Sequence, residues 1–168
     1  PSEIMPIMLT HGFHKELMRQ LLKEQHVANQ HGYYIEDLSI GMTSSYEKTV
    51  TAKDIEAFAA VTGDTNPVHL DAEYAATTPF KARIAHGMIS AGIISTVLGT
   101  QLPGPGCIYL DQQIKFRAAV FIDDTVVATV TVEDINQRRG RVSLKTQCFV
   151  NGKLVADGMA SMMVDKKG

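Results

Sequence analysis

Residues 84–99, IAHGMISAGIISTVLG, are apolar on almost every side of a helical projection. A helix at a protein surface carries a polar face; one without it has to be buried. The run is too short for a membrane span, which takes about 20 apolar residues. It also contains His86 and three glycines. The C-terminal part of the chain is suited to surround it. From Cys107 the apolar period changes to two, with Ile108, Leu110, Ile114 and Phe116 on one strand face and Tyr109, Asp111, Gln113, Lys115 and Arg117 on the other. Residues 125–132 are rich in Val and Thr, and residues 142–150 and 154–164 flank Asn151-Gly152, a strong two-residue hairpin signal. A strand is also expected over 43–50. One strand, a helical block and four strands predict an α+β fold, its antiparallel sheet curved around the buried helix.

The helical block has legible punctuation. Thr51 is placed to cap a helix, with Asp54 three residues on, an apolar face of Ile55, Phe58 and Ala59, and Gly63 as its stop. Asp64–His69 reads as a turn around Asn66-Pro67, and Asp71 is placed to cap a short helix over 72–77. Residues 1–34 differ in character and are expected to form a helical extension, with the main domain over 35–168. Within the extension, Phe13, Leu17, Leu21 and Leu22 recur at helical spacing over 11–28, before Asn29, His31 and Gly32 break the pattern. This helix suits a cap or an oligomer contact. His11, His14, His26 and His31 have no acidic or Cys partner at ligand spacing, so no metal is expected.

A chain of 168 residues, 45% hydrophobic, can bury one core without disulfides or metals. A formal net charge of −2 gives no reason to expect nucleic acid or an anionic membrane as partner. Cys107 and Cys148 lie in alternating apolar stretches and read as buried reduced thiols. Residues 1–9 show no basic region followed by an apolar one, so no secretory signal is expected and a cytoplasmic protein is the default.

The chemistry concentrates in residues 58–69, FAAVTGDTNPVH. Taken singly, Gly-Asp after a helix and Asn-Pro in a turn are ordinary structural devices. Here, however, a carboxylate and an imidazole stand five residues apart, and Pro67 stiffens the segment between them. Addition of water to an activated alkene needs such a pair, one group to take a proton from water and one to deliver a proton to carbon. A second segment, His86-Gly87-Met88, opens the buried helix. Its first-turn N–H groups lack intrahelical partners and could receive charge developing on a carbonyl oxygen. Gly87, Ala91 and Ser95 stand at intervals of four, a small-residue stripe that serves close packing equally well. His86 alone reads more readily as a capping or core histidine.

Together these segments resemble a known family. Phe58-x-x-Val-Thr-Gly-Asp-x-Asn-Pro-Val-His69, then Ala75-Ala76-Thr77-Thr78, Ile84-x-His86-Gly87-Met88, Gln101-Leu102-Pro103-Gly104-x-Gly106 and Ile108-Tyr109-Leu110 are similar to the motifs of MaoC-like (R)-specific enoyl-CoA hydratases, which have the hot-dog fold. The likeness runs from about residue 38 to the end. It implies a homodimer or higher homo-oligomer acting on an acyl-CoA thioester, with CoA as part of the substrate and no other cofactor. It implies Asp64 and His69 as catalytic residues, and the amide of Gly87 at the thioester oxygen. Ser95 is implied as a further site residue, and Asn66 and His86 join the candidate substrate contacts. Relatives commonly carry a proline after the position of Phe116, where this chain has Ala118-Ala119.

A carboxylate is ordinarily ionised at neutral pH and an imidazole is near balance, so Asp64 is expected to be the base and His69 the proton donor. Lys81, Arg83, Lys115 and Arg117 are candidates for the CoA phosphates, with at least two of them expected to be plain solvated rim. Three rivals remain. A hot-dog thioesterase often places a carboxylate on its central helix, and residues 88–98 contain no Asp or Glu. A non-catalytic acyl-thioester binding module would need neither Asp64 nor His69. A 3-hydroxyacyl-acyl-carrier dehydratase would use the same pair.

Overall fold

The computed structural model describes residues 31–168. The helix expected over 11–28, with His11, His14 and His26, lies outside the described residues. The compact body begins at Gly32, ahead of the boundary expected at residue 35. Gly32 sits so close to Pro103 and Gly104 that a side chain there would strike backbone.

The elements are β1 (Thr43–Thr49), α1 (Ala52–Thr62), α2 (Pro67–Leu70), α3 (Ala72–Thr77), α4 (Gly87–Thr100), β2 (Ile108–Phe116), β3 (Thr125–Asn136), β4 (Arg141–Val150) and β5 (Lys153–Met163). All five strands form one antiparallel sheet in the order β1-β3-β4-β5-β2. The expected hairpin joins β4 to β5. Asn151 and Gly152 both take positive φ, 49° and 75°, as the turn of a tight two-residue hairpin requires.

The sheet curves around α4. Ile93, Ile94, Val97 and Leu98 of that helix are buried against Val126, Ala128 and Val130 of β3, Leu144 of β4 and their neighbours. Full burial of each such side chain contributes about 1.5–3 kcal/mol. The helix starts at Gly87, later than the expected residue 84. Residues 84–86 are extended instead: Ile84 N–H donates to Val68 at 3.4 Å and Ala85 N–H to Val120 at 2.8 Å. Those bonds, with an isolated bridge from Ile84 to Phe121, tie the two residues to neighbouring segments in place of the helix.

Strand β2 departs from simple alternation. The register against β5 shifts between Tyr109 and Asp111, so that Tyr109 lies opposite the buried Met162. Directly opposed residues share a face. Tyr109 therefore points inward with Gln112, Ile114 and Phe116, and Ile108 is displaced from the face that periodicity assigned to it. A one-residue bulge inverts every position beyond it. The strand is an edge of the sheet, and α4 packs on β3, β1 and β4 instead. Phe116 consequently remains 51% exposed.

Candidate active site

Helix α1 delivers the first site residue. Its capping box forms as expected: Thr51 Oγ1 accepts from Asp54 N–H at 3.2 Å, and the Asp54 carboxylate accepts from Thr51 N–H at 2.8 Å. Hydrogen bonds from the Thr51 backbone and side chain, with the nearby Lys48 ammonium, hold the Asp54 carboxyl down at about 2. The helix ends at Gly63 in the left-handed region, φ 78°, which turns the chain so that Asp64 leaves the helix axis.

The turn expected over Asp64–His69 is tighter than an open loop. Asn66 caps the single turn α2, its Oδ1 accepting from Val68 N–H at 3.3 Å, with Pro67 in the first turn. Asp64 Oδ1 in turn accepts from Asn66 N–H at 3.3 Å. Asn66, a candidate substrate contact in the sequence, thus has its side-chain oxygen engaged in holding the backbone that carries the other two residues.

His69 is buried at the end of α2, and two backbone-directed bonds fix it. Its Nδ1 lies 2.8 Å from Ile84 O, and the Arg83 guanidinium donates from Nε to His69 O at 2.7 Å. His86 is also buried, and its ring stacks on His69 with centroids 3.8 Å apart. Its other aromatic neighbour is Phe58 of α1, at 4.7 Å. His86 Nε2 is 3.0 Å from Asp64 O and 4.0 Å from Asp64 Oδ2. The Asp64 side chain itself stays 52% exposed, at the rim.

Asp64, His69 and His86 offer donor atoms within 4.8 Å of one another, a spacing that invites a metal reading. The local chemistry fits poorly. His86 Nε2 is engaged by the Asp64 carbonyl and His69 Nδ1 by the Ile84 carbonyl, so each ring has one nitrogen already committed.

Beside this group lies a pocket of about 420 Å³, lined by His69, His86, Gly87, Ser90, Phe116 and Val120 among others. It opens onto the first turn of α4. An added Cβ at residue 87 would come within 2.9 Å of the Phe116 ring, so glycine leaves this turn's backbone uncovered between ring and pocket. Ala118 and Ala119 form part of the wall, and the N–H groups of Arg117 and Ala118 both reach Val155 O, at 2.8 and 3.2 Å.

A sequence model of the MaoC-like domain matches residues 39–153. The chain belongs to the MaoC-like domain family. A protein named (R)-specific enoyl-CoA hydratase, from Rhodospirillum rubrum, is 52% identical over 136 residues, covering 81% of this chain and 94% of that protein. One named 3-hydroxybutyryl-CoA dehydratase, from Methylorubrum extorquens, is 47% identical over 134 residues, covering 80% and 85%. Among solved structures, an unliganded R-hydratase from Pseudomonas aeruginosa superposes with a TM-score of 0.77 at 42% identity, covering 81% of this chain and 88% of that one. The hot-dog fold is thereby shown.

Within this MaoC-like domain the structure brings together Asp64, His69, His86 and Gly87. It does not bring in Ser95, which lies exposed further along α4 and outside the pocket lining. Ser90, buried and lining the pocket, went unnoticed in the sequence, as did Phe116 as a neighbour of Gly87. Helical spacing from Gly87 to Ser90 carried the first signal. The second had none, because it depends on a strand pairing distant in sequence. Of the four candidate phosphate ligands, Arg117 pairs with Asp157 at 2.6 Å and Arg83 holds the His69 carbonyl. Lys115 lies on the outer sheet face beside Glu133 and Lys145.

Proposed function

We propose that this protein adds water reversibly to trans-2-enoyl-CoA thioesters, giving (R)-3-hydroxyacyl-CoA, with Asp64 and His69 as the reacting pair. The protein is a hydro-lyase. The observation that carries the reading is the approach of the Asp64 carboxylate to the His69 ring, with His69 and Gly87 lining one pocket. The names and identities of the two relatives support the substrate and the stereochemistry.

A water held between Asp64 and His69 Nε2 gives a proton to the carboxylate as its oxygen bonds to C3. The electron pair of the double bond moves toward the thioester, whose oxygen receives the N–H of Gly87. In this scheme His69 enters the cycle as the imidazolium, gives its Nε2 proton to C2, and recovers a proton from Asp64 for the next cycle. The sum is H and OH across one double bond. No cofactor is needed in this scheme beyond the CoA already in the substrate.

The enzyme acts as a homodimer in this reading. The free edge β2 carries Ile108, 52% exposed, and Leu110, 40% exposed, and Met88 at the start of α4 is 55% exposed. A long apolar edge invites pairing with a second copy. Among the described residues no helix is long and apolar enough to cross a membrane. The free thiols Cys107 and Cys148 suit a reducing compartment, and we place the enzyme in the cytoplasm.

Incubation with crotonyl-CoA, followed by the loss of conjugated-thioester absorbance and chiral analysis of the product, tests the activity. Formation of (R)-3-hydroxybutyryl-CoA is expected. Unchanged absorbance, or the (S) product, contradicts the proposal. Turnover of crotonyl-acyl-carrier protein but not crotonyl-CoA would favour the dehydratase reading.

A further inference from the structure

We infer that His86 is a positioning residue that fixes Asp64 and His69 relative to each other, acting through one hydrogen bond and one ring stack and not through contact with substrate. The inference rests on the proposed roles of Asp64 and His69 and deepens them. His86 precedes α4 as its N-terminal boundary residue, yet its side chain makes no capping bond to the helix. Three observations say what it does instead.

The first is its bond to Asp64. The partner is the backbone carbonyl, 3.0 Å from Nε2. A carbonyl oxygen only accepts, so the His86 ring carries its hydrogen on Nε2. That bond anchors the chain where it leaves Gly63, at the residue whose exposed carboxylate has to meet the water. The second is the stack. The His69 ring lies against one part of His86 at 3.8 Å and the Phe58 ring against another at 4.7 Å, so the position of His69 is referred through His86 to helix α1. The third is Nδ1. With the hydrogen on Nε2 this nitrogen is a bare acceptor, and it is buried without a hydrogen-bond partner in the structure. A buried acceptor without a partner carries a desolvation cost. A phenylalanine or leucine would fill the same volume without that cost but would lose the tie to Asp64. An imidazole supplies both the flat ring and the one donor.

The tie spans two parts of the site that the backbone alone does not join. Asp64 follows α1, and His86 follows the extended residues 84–85, which are hung between Val68 and Val120. Displacement of a reacting group by about 1 Å can cost about a hundredfold in rate.

The test uses the full chain with crotonyl-CoA and two variants. His86→Phe keeps a ring for the stack and removes the donor; His86→Gln places an amide donor near the site of Nε2 and removes the ring. Expected is a kcat for His86→Phe lower by about ten- to a hundredfold with KM within about twofold, and partial recovery in His86→Gln, at near-unchanged Tm. In the unmodified protein, ¹⁵N NMR at neutral pH is expected to show His86 with its hydrogen on Nε2. A His86→Phe enzyme of normal kcat, a raised KM with normal kcat, or a hydrogen on Nδ1 would each overturn the inference. Should His86→Phe not fold, His86→Gln and the tautomer measurement decide. Asp64→Asn, run in parallel, separates the two levels. An active Asp64→Asn defeats the underlying roles, whereas an inactive Asp64→Asn beside a fully active His86→Phe defeats the positioning role alone.

Discussion

Nδ1 of His69 lies 2.8 Å from the carbonyl oxygen of Ile84. The carbonyl can only accept, so Nδ1 carries the hydrogen and Nε2 is the nitrogen left to exchange protons in the site. A backbone bond of this kind fixes which nitrogen faces the site before substrate arrives, whether Nε2 is protonated or bare. Replacement by His69→Asn or His69→Gln is expected to leave some water addition while slowing protonation at C2, read as solvent deuterium exchange, by about two orders of magnitude. Loss of all water activation in these variants, with Asp64→Asn still active, would reverse the two roles.

Gly87 faces the Phe116 ring. Because the clash at 2.9 Å is with the end of a half-exposed side chain, Gly87→Ala is expected to fold with little change in Tm. The displaced ring would intrude on the first turn of α4. Activity is expected to fall by about tenfold or more, and Phe116→Leu added to Gly87→Ala to recover part of it. Full activity in Gly87→Ala would show that this approach to the backbone is not used.

The capping box at Thr51 and Asp54 holds the helix that presents Asp64. Thr51→Ala is expected to cost about 1 kcal/mol in denaturant unfolding. The Asp54 carboxyl, held at about 2, lies below the ordinary value of about 3.9 for an unfolded chain. Its contribution is therefore fully present above about pH 4 and disappears as pH falls toward 2. Since the Asp54 side chain keeps 28% of its surface exposed to screening solvent, the effect is a fraction of what the shift alone suggests. Acid titrations of the parent protein and Asp54→Asn should converge below about pH 2; a stability gap that persists there would contradict this origin.

The β2 edge is tested by Leu110→Asp, which puts a charge on its exposed apolar surface. Sedimentation is expected to show a dimer for the parent chain and a shift toward monomer for the variant. A monomeric parent chain with full hydratase activity would remove the dimer from the account.

Local patterns were read well from the sequence, long-range pairings poorly. Thr51, Gly63, Asp71 and Asn151-Gly152 act within a few residues of themselves, and each does in the structure what its chemistry suggested. The burial of one face of α4 followed from composition; its other face, with Met88, Gly92, Ser95 and Gly99, is exposed in the described chain. The start of α4 did not follow from composition, because residues 84–86 are extended by bonds to Val68 and Val120 that no local pattern records. The inner face of β2 was misassigned at Ile108 and Tyr109, ahead of its bulge, for a similar reason. At the site, Asp64 and His69 were legible as neighbours, whereas Asn66 proved to have a capping oxygen and His86 a ring in contact with both His69 and Phe58. Those partners are set by tertiary packing, to which spacing along the chain is blind.

The role of Asp64 as the base that activates water meets its most direct test in Asp64→Asn, assayed for crotonyl-CoA hydration beside an NMR spectrum of the same sample. The substitution keeps the shape of the side chain and removes its charge. Turnover is expected to fall by about two to four orders of magnitude in a protein whose spectrum stays dispersed and native. Near-normal turnover in that folded variant would contradict the assignment.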